Sequence, residues 1–378
     1  MTHARRFAFG GLGIHVTSPD AATLGWLEEF LAPAFTVDDG SAVDCGVHLI
    51  VDDQRYRALQ ATRPAGTLPT TVCFVLDKGA ARMPRWSLAS GDRVCADDEH
   101  GVLYVGGASG PHAHVVSPPG NTALRLALMR AVRELAMSAA WTHRSLVLHA
   151  AAVAVGDRGI LIAGPKHAGK TSLLIHCLHA PGVHFLSNDR VVMDLDGGNP
   201  VLRGMPTIVS IRQGTLELFP ELGARLCEAG FHFRLTLAEV HRQAARRAGD
   251  HRDRSASLSP VQLCHVLAVP MTERARAHVL VLPRIDPDVV GIDLQPLTAH
   301  EATARLPQVL FAAAAAERIS EVFTVDPHHT DAQPATVQRL WRATVQGLRV
   351  LECRLGPDAF SSGAPAAFIQ RVLSADTL

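Results

Sequence analysis

A short glycine- and lysine-containing stretch is the part of the sequence best suited to chemistry. Residues 164–171 read GPKHAGKT, which satisfies the phosphate-binding pattern G-x-x-x-x-G-K-[ST]. Glycines let a backbone wrap closely around an anion, so that successive N–H groups point inward. A helix that begins at the end of such a loop adds a positive end of about half a charge. The pattern therefore predicts a nucleotide-binding loop.

Each residue type in this loop has an expected task. Lys170 is expected to reach the β- and γ-phosphates of a nucleotide, and Thr171 to offer its hydroxyl to Mg²⁺. Lys166 and His167 fill the middle of the loop, where they either face solvent or add a phosphate contact. A nucleotide with Mg²⁺ is the predicted cofactor pair, and the loop alone does not separate ATP from GTP. The other cofactor-binding candidates are Gly164, Pro165, Ala168, Gly169 and Ser172.

A second group of candidates surrounds the stretch FLSNDRVVM at 185–193. Phosphoryl transfer needs a metal site and an oriented acceptor, and a metal-binding acid usually follows a phosphate loop on the next strand. Asp189 fits that position, although an acid at a strand end is often only a turn-former. Asn188 stands directly before it, where a second carboxylate would be wanted. His149 lies in an apolar strand before the loop, either near the phosphates or as a core histidine.

Arginines provide further candidates for binding phosphate. Arg203, Arg212 and Arg284 qualify because a guanidinium grips phosphate through forked donors, although surface arginines are common. Residues 239–255 carry five arginines and two histidines against three acids. That segment is either a solvated loop or a lid that closes over nucleotide or docks an acidic peptide.

The hydrophobic pattern predicts an α/β domain around these residues, in a chain that is α+β overall. Residues 145–163 read as two buried strands, 170–180 as a helix and 183–195 as one further strand. Later elements are predicted as strands at QLCHVLAV, AHVLVLPRI and LRVLECRL, and as helices at TAHEATARLPQVLFAAAAAERISEVF and APAAFIQRVL.

The first part of the chain is predicted as a small α+β domain. A short strand or a hairpin around Gly10 and Gly11 is expected at 7–16, followed by a helix that starts near Asp20. Three further strands are predicted at DCGVHLIVDD, TTVCFVLDKG and GVLYVGG. The predicted domains are residues 1–120, a connecting helix at 121–142, and a nucleotide-binding domain at 143–378.

Composition limits the partners and the compartment. The chain has 378 residues, of which 47% are hydrophobic, enough for a core in each of two domains. Lys plus Arg equals Asp plus Glu at 36 each, so neither nucleic acid nor a membrane is an expected partner. Without a signal peptide or a membrane span, the expected location is the cytoplasm. Seven scattered cysteines are expected to be reduced thiols.

Two stretches of the sequence together resemble a known family. LVLHAAAVAVGDRGILIAGPKHAGKTSLLIHCL followed by VHFLSNDRVVMDL is similar to the HPr serine kinase/phosphorylase family and its related kinases, in which a histidine strand, a glycine loop and an Asp-Asp strand follow in that order. The likeness covers residues 143–215, and more loosely VLVLPRIDP and the last strand and helix. It implies a nucleotide domain like that of phosphoenolpyruvate carboxykinase. It also implies an ATP-dependent kinase that phosphorylates a serine hydroxyl.

The resemblance also implies roles for single residues. His149 would lie in the active site, and the aspartate pair would fall on Asn188 and Asp189, so that the presumed base becomes an amide. The family glutamate after the loop is replaced by Ser172, and an inner loop glycine by His167. These departures weaken the expectation of phosphorylase activity and of HPr as substrate. Asn188 can still orient a hydroxyl, and Asp189 or His149 can take over proton transfer.

Two functions therefore remain open from the sequence. The first is a kinase acting on a hydroxyl of a peptide, a protein or a small molecule. The alternative is a nucleotide-binding regulatory or scaffold protein of the same fold with weak or no catalysis. The acceptor is not identified by the sequence, and a homo-oligomer is left open.

Overall fold

The structure is a computed structural model, and the chain divides in it into two compact units. Unit 1 comprises Met1–His143 and Ala312–Gln333, and unit 2 comprises Arg144–Phe311 and Pro334–Leu378. Each unit has its own large sheet with helices, so the chain is a mixed α/β protein. The described residues are 2–37, 43–76, 79–107, 110–142, 145–196, 199–229, 255–305, 309–311, 322–323, 334–361 and 364–374.

Unit 1 contains a nine-stranded sheet. Its strands are β1 (His3–Phe9), β2 (Leu12–Ser18), β3 (Thr36–Val37), β4 (Cys45–Val51), β5 (Pro69–Leu76), β6 (Gly79–Ser87), β7 (Arg93–Asp97), β8 (Val102–Gly106) and β9 (His112–Ser117). The order across the sheet is β3-β1-β2-β4-β9-β8-β7-β6-β5. Strands β2, β4 and β9 are parallel, and the other neighbours are antiparallel. The helices are α1 (Ala21–Leu31), α2 (Asp53–Ala61) and α3 (Leu124–Thr142).

The start of unit 1 agrees with its sequence pattern. The segment predicted as a short strand or a hairpin forms the hairpin β1–β2, whose turn contains Gly10 and Gly11, both at positive φ. The predicted helix is α1, and the Asp20 side chain caps it by accepting from the backbone N–H groups of Ala22 and Thr23. Helix α3 packs against α1 and against β2, β4 and β9. Strands β3, β6, β7 and β9 and helix α2 were not predicted.

Unit 2 contains an eight-stranded sheet and a separate strand pair. The large sheet holds β10 (Leu146–Val155), β11 (Arg158–Ala163), β12 (Val183–Ser187), β13 (Arg190–Asp196), β14 (Asn199–Met205), β17 (Arg274–Ile285), β18 (Ile292–Pro296) and β19 (Arg349–Leu355). The pair is β15 (Val209–Arg212) and β16 (Ser255–Leu258). The helices are α4 (Lys170–Leu178), α5 (Gln213–Leu218), α6 (Pro220–Glu228), α7 (Pro260–Leu267), α8 (Ala299–Ala304), α9 (Pro334–Gly347) and α10 (Pro365–Ser374).

The large sheet of unit 2 follows the order β11-β10-β13-β14-β17-β19-β18, and β12 also pairs with β10. Strand β11 additionally pairs with β17, in parallel, so five strands form a closed ring of pairings. Helix α4 packs against β10, β11 and β12 and against α10. The residues Ile160, Leu173 and Val281 are fully buried in this layer. The predicted order of two strands, glycine loop, helix and strand is therefore confirmed.

One predicted strand is in fact two. The run at 183–195 divides into β12 and β13, which pair with successive parts of β10 in the same antiparallel direction. The Ser187 hydroxyl donates to the carbonyl oxygen of Arg190 at 2.6 Å and closes the turn between them. Asn188 and Asp189 therefore lie in a tight turn rather than at the end of a continuous strand.

A second prediction, of a strand at QLCHVLAV, is wrong because this segment forms α7. Ser259 and Gln262 form a reciprocal capping box, and Pro260 occupies the first turn of the helix. The helix predicted from residue 298 is described as α8 over Ala299–Ala304. Residues 306–308 and 312–321 of that prediction lie outside the described residues.

The described cysteine side chains are buried thiols outside any disulfide, and they are Cys45, Cys95, Cys177, Cys264 and Cys353. Burial raises the pKa of the Cys264 thiol to about 12, so it stays protonated at neutral pH. Across the described ranges, every helix is too short or too polar to cross a membrane.

Gly204 in β14 provides a test of how tightly β14 packs on β12. A Cβ at this position would overlap the backbone carbonyl of Leu186, which cannot move like a flexible side chain. Gly204→Ala is expected to lower the free energy of unfolding by at least about 2 kcal/mol. The control Gly223→Ala in α6, where nothing lies within 4 Å, should be neutral or stabilising by up to about 1 kcal/mol. Urea unfolding measures both, and equal stabilities would contradict this packing.

Candidate functional site

The predicted phosphate loop joins β11 to α4. Gly169 is the N-cap residue of α4 and has a left-handed φ of 93°, which glycine adopts without steric cost. A Cβ on Gly169 would also lie only 2.7 Å from Cδ1 of Leu355. A larger residue would thus meet both a strained backbone and a steric clash. The loop therefore requires glycine at position 169 to fold, whether or not a ligand is bound.

His167, at the position where the resemblance implies glycine, has a left-handed φ of 68°. A non-glycine residue is uncommon in this conformation. Arg212 Nη1 lies 3.1 Å from His167 Nδ1, and because guanidinium groups only donate, this nitrogen is the acceptor. Both side chains are exposed. The contact brings one of the predicted arginines to the loop.

A second link ties the loop to the segment after β15. The hydroxyl groups of Ser172, in the first turn of α4, and Thr215, in α5, are 3.2 Å apart. Ser172 is buried. Together with the Arg212 contact, this bond holds residues 212–215 beside the loop.

Lys170 lies folded across the loop. Its Nζ donates to the carbonyl oxygens of Gly164 at 2.7 Å and Pro165 at 3.0 Å. Burial lowers the pKa of the Lys170 ammonium group, and the charge of Asp189 raises it. The lysine and Asp189 are therefore close enough to interact electrostatically. This electrostatic interaction links the loop to the turn between β12 and β13.

Asp189 and His149 form a close pair at that turn. The backbone positions of His149 and Arg190 are partners between β10 and β13, so the preceding residue lies beside the histidine. The two side chains are joined by His149 Nε2 and Asp189 Oδ1, 3.1 Å apart, and each is 34% exposed. Two residues that the sequence nominated separately are thus in direct contact.

The Asp189 carboxyl group is ionised at neutral pH. Burial, the largest influence, raises its pKa, but the hydrogen bond and charge of His149 and the charges of Arg190 and Lys170 lower it to about 2. An ionised carboxylate only accepts hydrogen bonds, so His149 Nε2 must carry the hydrogen in this contact. In a neutral ring, the remaining lone pair is then on Nδ1.

Arg190 belongs to this site, although the sequence did not single it out. Its side chain is 2% exposed, and its guanidinium carbon stacks 4.2 Å above the ring centre of Phe311. Its Nε lies 3.7 Å from Asp189 Oδ2. A signal was present in the letters SNDR, where an arginine follows an acid directly and opens a buried strand. Arg190 therefore places a positive charge next to the Asp189 carboxylate.

Asn188 uses both ends of its amide within the protein. Its Nδ2 donates to the carbonyl oxygen of Ile208 at 3.2 Å, and its Oδ1 accepts from the Thr207 hydroxyl at 3.0 Å. Thr207 is 5% exposed. A carboxylate could accept from Thr207 but could not donate to Ile208. The amide therefore suits this position as a structural clamp between the turn and residues 207–208.

The other two predicted arginines form ion pairs with carboxylates. Arg203 lies 3.2 Å from Asp194. Arg284 lies 3.2 Å from both Asp286 and Glu352. These contacts occupy both side chains, unlike Arg212, which contacts the loop. Of the arginine-rich segment at 239–255, residues 239–254 lie outside the described residues.

The residues near the loop suit magnesium better than a transition metal. Thr171 and Asp189 offer hard oxygen atoms, and Mg²⁺ typically takes one or two carboxylates together with nucleotide phosphates and waters. Within the described part of the chain, no group of three or more His, Cys, Asp or Glu side chains is arranged to hold a metal ion. The ionised state of Asp189 fits a role as one of few protein ligands.

Comparison with known proteins gives little beyond this geometry. No protein-family model matches the sequence, and no curated protein matches it. Among solved structures, the HPr(Ser) kinase/phosphatase from Coxiella burnetii is similar over 61% of this chain and 94% of its own, with a TM-score of 0.27 and 7% identity. This structural similarity is too remote to indicate an activity for the chain.

Proposed function

We propose that the protein is a magnesium-dependent kinase that transfers the γ-phosphoryl group of ATP to a hydroxyl group. The observation that carries this proposal is that a G-x-x-x-x-G-K-T loop lies near an ionised carboxylate and a histidine. The charges of Lys170 and Asp189 interact, and Asp189 contacts His149. A phosphate-binding lysine, a candidate metal ligand and a proton acceptor are the parts that phosphoryl transfer requires.

Binding is the task of the loop in this proposal. The backbone N–H groups of 164–171 surround the phosphates, and Lys170 turns from the loop carbonyls to the β- and γ-phosphates. Arg212, held beside the loop by His167, contributes a further positive charge. Thr171 and Asp189 would hold Mg²⁺, which neutralises developing charge on the phosphate oxygens when bound. GTP uses the same phosphate contacts and is the second nucleotide to test.

The transfer needs a proton acceptor other than Asn188. The bond from the γ-phosphorus to its bridging oxygen breaks and leaves ADP, while a bond forms from phosphorus to the acceptor oxygen. The hydroxyl proton is lost in the process. We infer that His149 Nδ1 accepts it, because Asp189 engages the other ring nitrogen and orients the ring. Such general-base assistance is worth roughly 10² to 10⁴ in rate.

A second candidate function is a nucleotide-binding regulator or scaffold without phosphoryl transfer. The observation that favours it is the engagement of Asn188 with Thr207 and Ile208, which leaves its amide committed to the fold. Nucleotide binding would then change the arrangement of a partner-binding surface. The two candidates share the loop and differ in whether ADP is formed.

ADP formation distinguishes the two candidates. The full chain would be incubated with ATP or GTP and Mg²⁺, alone and with serine-containing peptides, proteins and small alcohols as acceptors. The kinase proposal expects ADP and a phosphorylated acceptor, both dependent on Mg²⁺ and on Lys170. Tight nucleotide binding with no ADP under every condition would instead support the regulator.

Asn188→Asp tests whether this position is a weakened base or a structural clamp. The carboxylate would face the Ile208 carbonyl, so the free energy of unfolding should fall by about 1–3 kcal/mol, and turnover should not rise. Thr207→Val is the matched variant, because it removes the donor to Asn188 without adding charge, and it should cost about 1 kcal/mol. Thermal unfolding and ADP release measure both. A rate increase in Asn188→Asp would show that the position serves as a base.

A further inference from the structure

Four histidines lie on one face of the unit 1 sheet. They come from three adjacent parallel strands: His15 from β2, His48 from β4, and His112 and His114 from β9. The register opposes His48 to His114, and Gly46 to both His15 and His112. Side chains alternate between the faces of a strand, and the intervening Val16, Val47 and Val115 are fully buried. The histidine face is only partly covered, since His112 is exposed and the other three are partly buried.

Two imidazole nitrogens converge above Gly46. A Cβ built on this glycine would lie 2.6 Å from His112 Nδ1 and 3.1 Å from His48 Nε2. The absence of a side chain on Gly46 lets both ring nitrogens approach its backbone closely. The ring centres of His48 and His112 are 5.5 Å apart, and those of His48 and His114 are 5.3 Å apart. With Zn–N bonds of about 2.0–2.1 Å, two histidines on one tetrahedral ion have ring centres roughly 5 to 6 Å apart.

The surroundings of His48 favour the form that binds metals. Its Nδ1 lies 2.9 Å from the Thr17 hydroxyl, and the tautomer that donates to Thr17 has its lone pair on Nε2, above Gly46. Metal-binding histidines are commonly oriented by such a bond through the other nitrogen.

His114 has an unsatisfied group at the same place. Its Nδ1 is buried and has no hydrogen-bond partner in the structure. A buried nitrogen without a partner is costly unless something binds it. A rotation of the ring that turns a nitrogen towards Gly46 would remove this cost.

We propose that the site above Gly46 binds a divalent transition-metal ion of the zinc and copper class through His48 Nε2 and His112 Nδ1. No three of the described ligand-type side chains are arranged around one point, so His114 completes the site by rotating and water fills the remaining position. Imidazole nitrogens suit zinc, copper and nickel, whereas Mg²⁺ prefers oxygen. The site is in unit 1 and does not depend on the proposed kinase activity.

Zinc titration of the full chain tests this site. Calorimetry with ZnCl₂, in buffer that contains excess Mg²⁺, is expected to show one equivalent bound. His48→Gln and His112→Gln should each weaken binding at least tenfold, and Gly46→Ala should do the same by displacing both ring nitrogens. The control is His3→Gln, because His3 is exposed and lies on the opposite face of the sheet.

Folding can be separated from binding in this test. His112 is exposed, so His112→Gln should unfold at the wild-type temperature when EDTA is present, and it should lose the rise in unfolding temperature that zinc gives the wild type. Zinc binding that is absent in the wild type, or equally strong in His112→Gln and His3→Gln, would overturn the proposal. In that case the four histidines only pack against one another on this face of the sheet.

Discussion

Lys170→Ala is expected to reduce magnesium-dependent ADP formation by about 10²- to 10³-fold, the usual effect of removing one donor that stabilises transition-state charge. The lysine donates two hydrogen bonds to the carbonyl oxygens of Gly164 and Pro165 and sits close to the negative charge of Asp189. A triphosphate offers its ammonium group stronger, charged acceptors than two carbonyls. Alanine removes that interaction without introducing a new one.

The matched comparison is Lys166→Ala, in the same loop. Lys166 is exposed, and its ammonium group is expected to contribute at most a few-fold to turnover. Binding of a fluorescent ATP analogue should weaken strongly in Lys170→Ala and only slightly in Lys166→Ala. Thermal unfolding checks that the loop still folds, because Lys170 also bridges its carbonyls. Turnover of Lys170→Ala within threefold of the wild type would exclude the loop as the site of the reaction.

The order of elements around the loop was readable from the sequence for a physical reason. Strands buried on both faces have continuous apolar runs, such as 146–155 and 159–163, and the glycine loop interrupts the pattern between the second strand and α4. The pattern failed at QLCHVLAV, because a short apolar run does not distinguish a buried strand from a buried helix. The cap formed by Ser259 and Gln262 decides that case.

The contacts within the site were harder to predict from the sequence. His149 and Asp189 were both predicted, but their contact depends on β12 and β13 pairing with successive parts of β10. The resemblance makes Asn188 a lost base, and its actual partners at 207–208 lie about twenty residues away, between β14 and β15. A structural role for an amide cannot be read without knowing what faces it.

The histidines of unit 1 show the same limit. His15, His48 and His112 are spread over almost a hundred residues, and no spacing rule joins them. The sheet order β2-β4-β9 places them together, and all three strands are joined by parallel pairing across long connections. Sequence patterns predict local elements better than pairings between distant strands.

Asp189→Asn is expected to lower turnover by about 10²-fold or more and to raise the Mg²⁺ concentration needed for half-maximal rate. The amide keeps the size of the side chain and can still accept from His149, but it lacks the charge that binds a cation. Asp194→Asn is the control, because Asp194 lies on β13 and its carboxylate pairs with Arg203 at 3.2 Å. An unchanged magnesium requirement in Asp189→Asn would exclude Asp189 as a metal ligand.

The same substitution also has an acid-stability effect with a definite sign. The folded-state pKa of Asp189 is about 2, below the value of 3.8 for an ordinary aspartate. A lowered pKa means that ionisation stabilises the fold above about pH 4, and that this contribution is lost as pH falls towards 2. Asp189→Asn should therefore lose part of the difference in unfolding temperature between pH 6 and pH 3, whereas a histidine-driven effect would appear near neutral pH.

His149→Ala separates the two roles of Asp189: it removes the hydrogen bond that lowers the pKa of Asp189 while leaving the carboxylate in place. If the magnesium requirement survives His149→Ala but not Asp189→Asn, the carboxylate acts on the metal directly rather than by orienting the histidine.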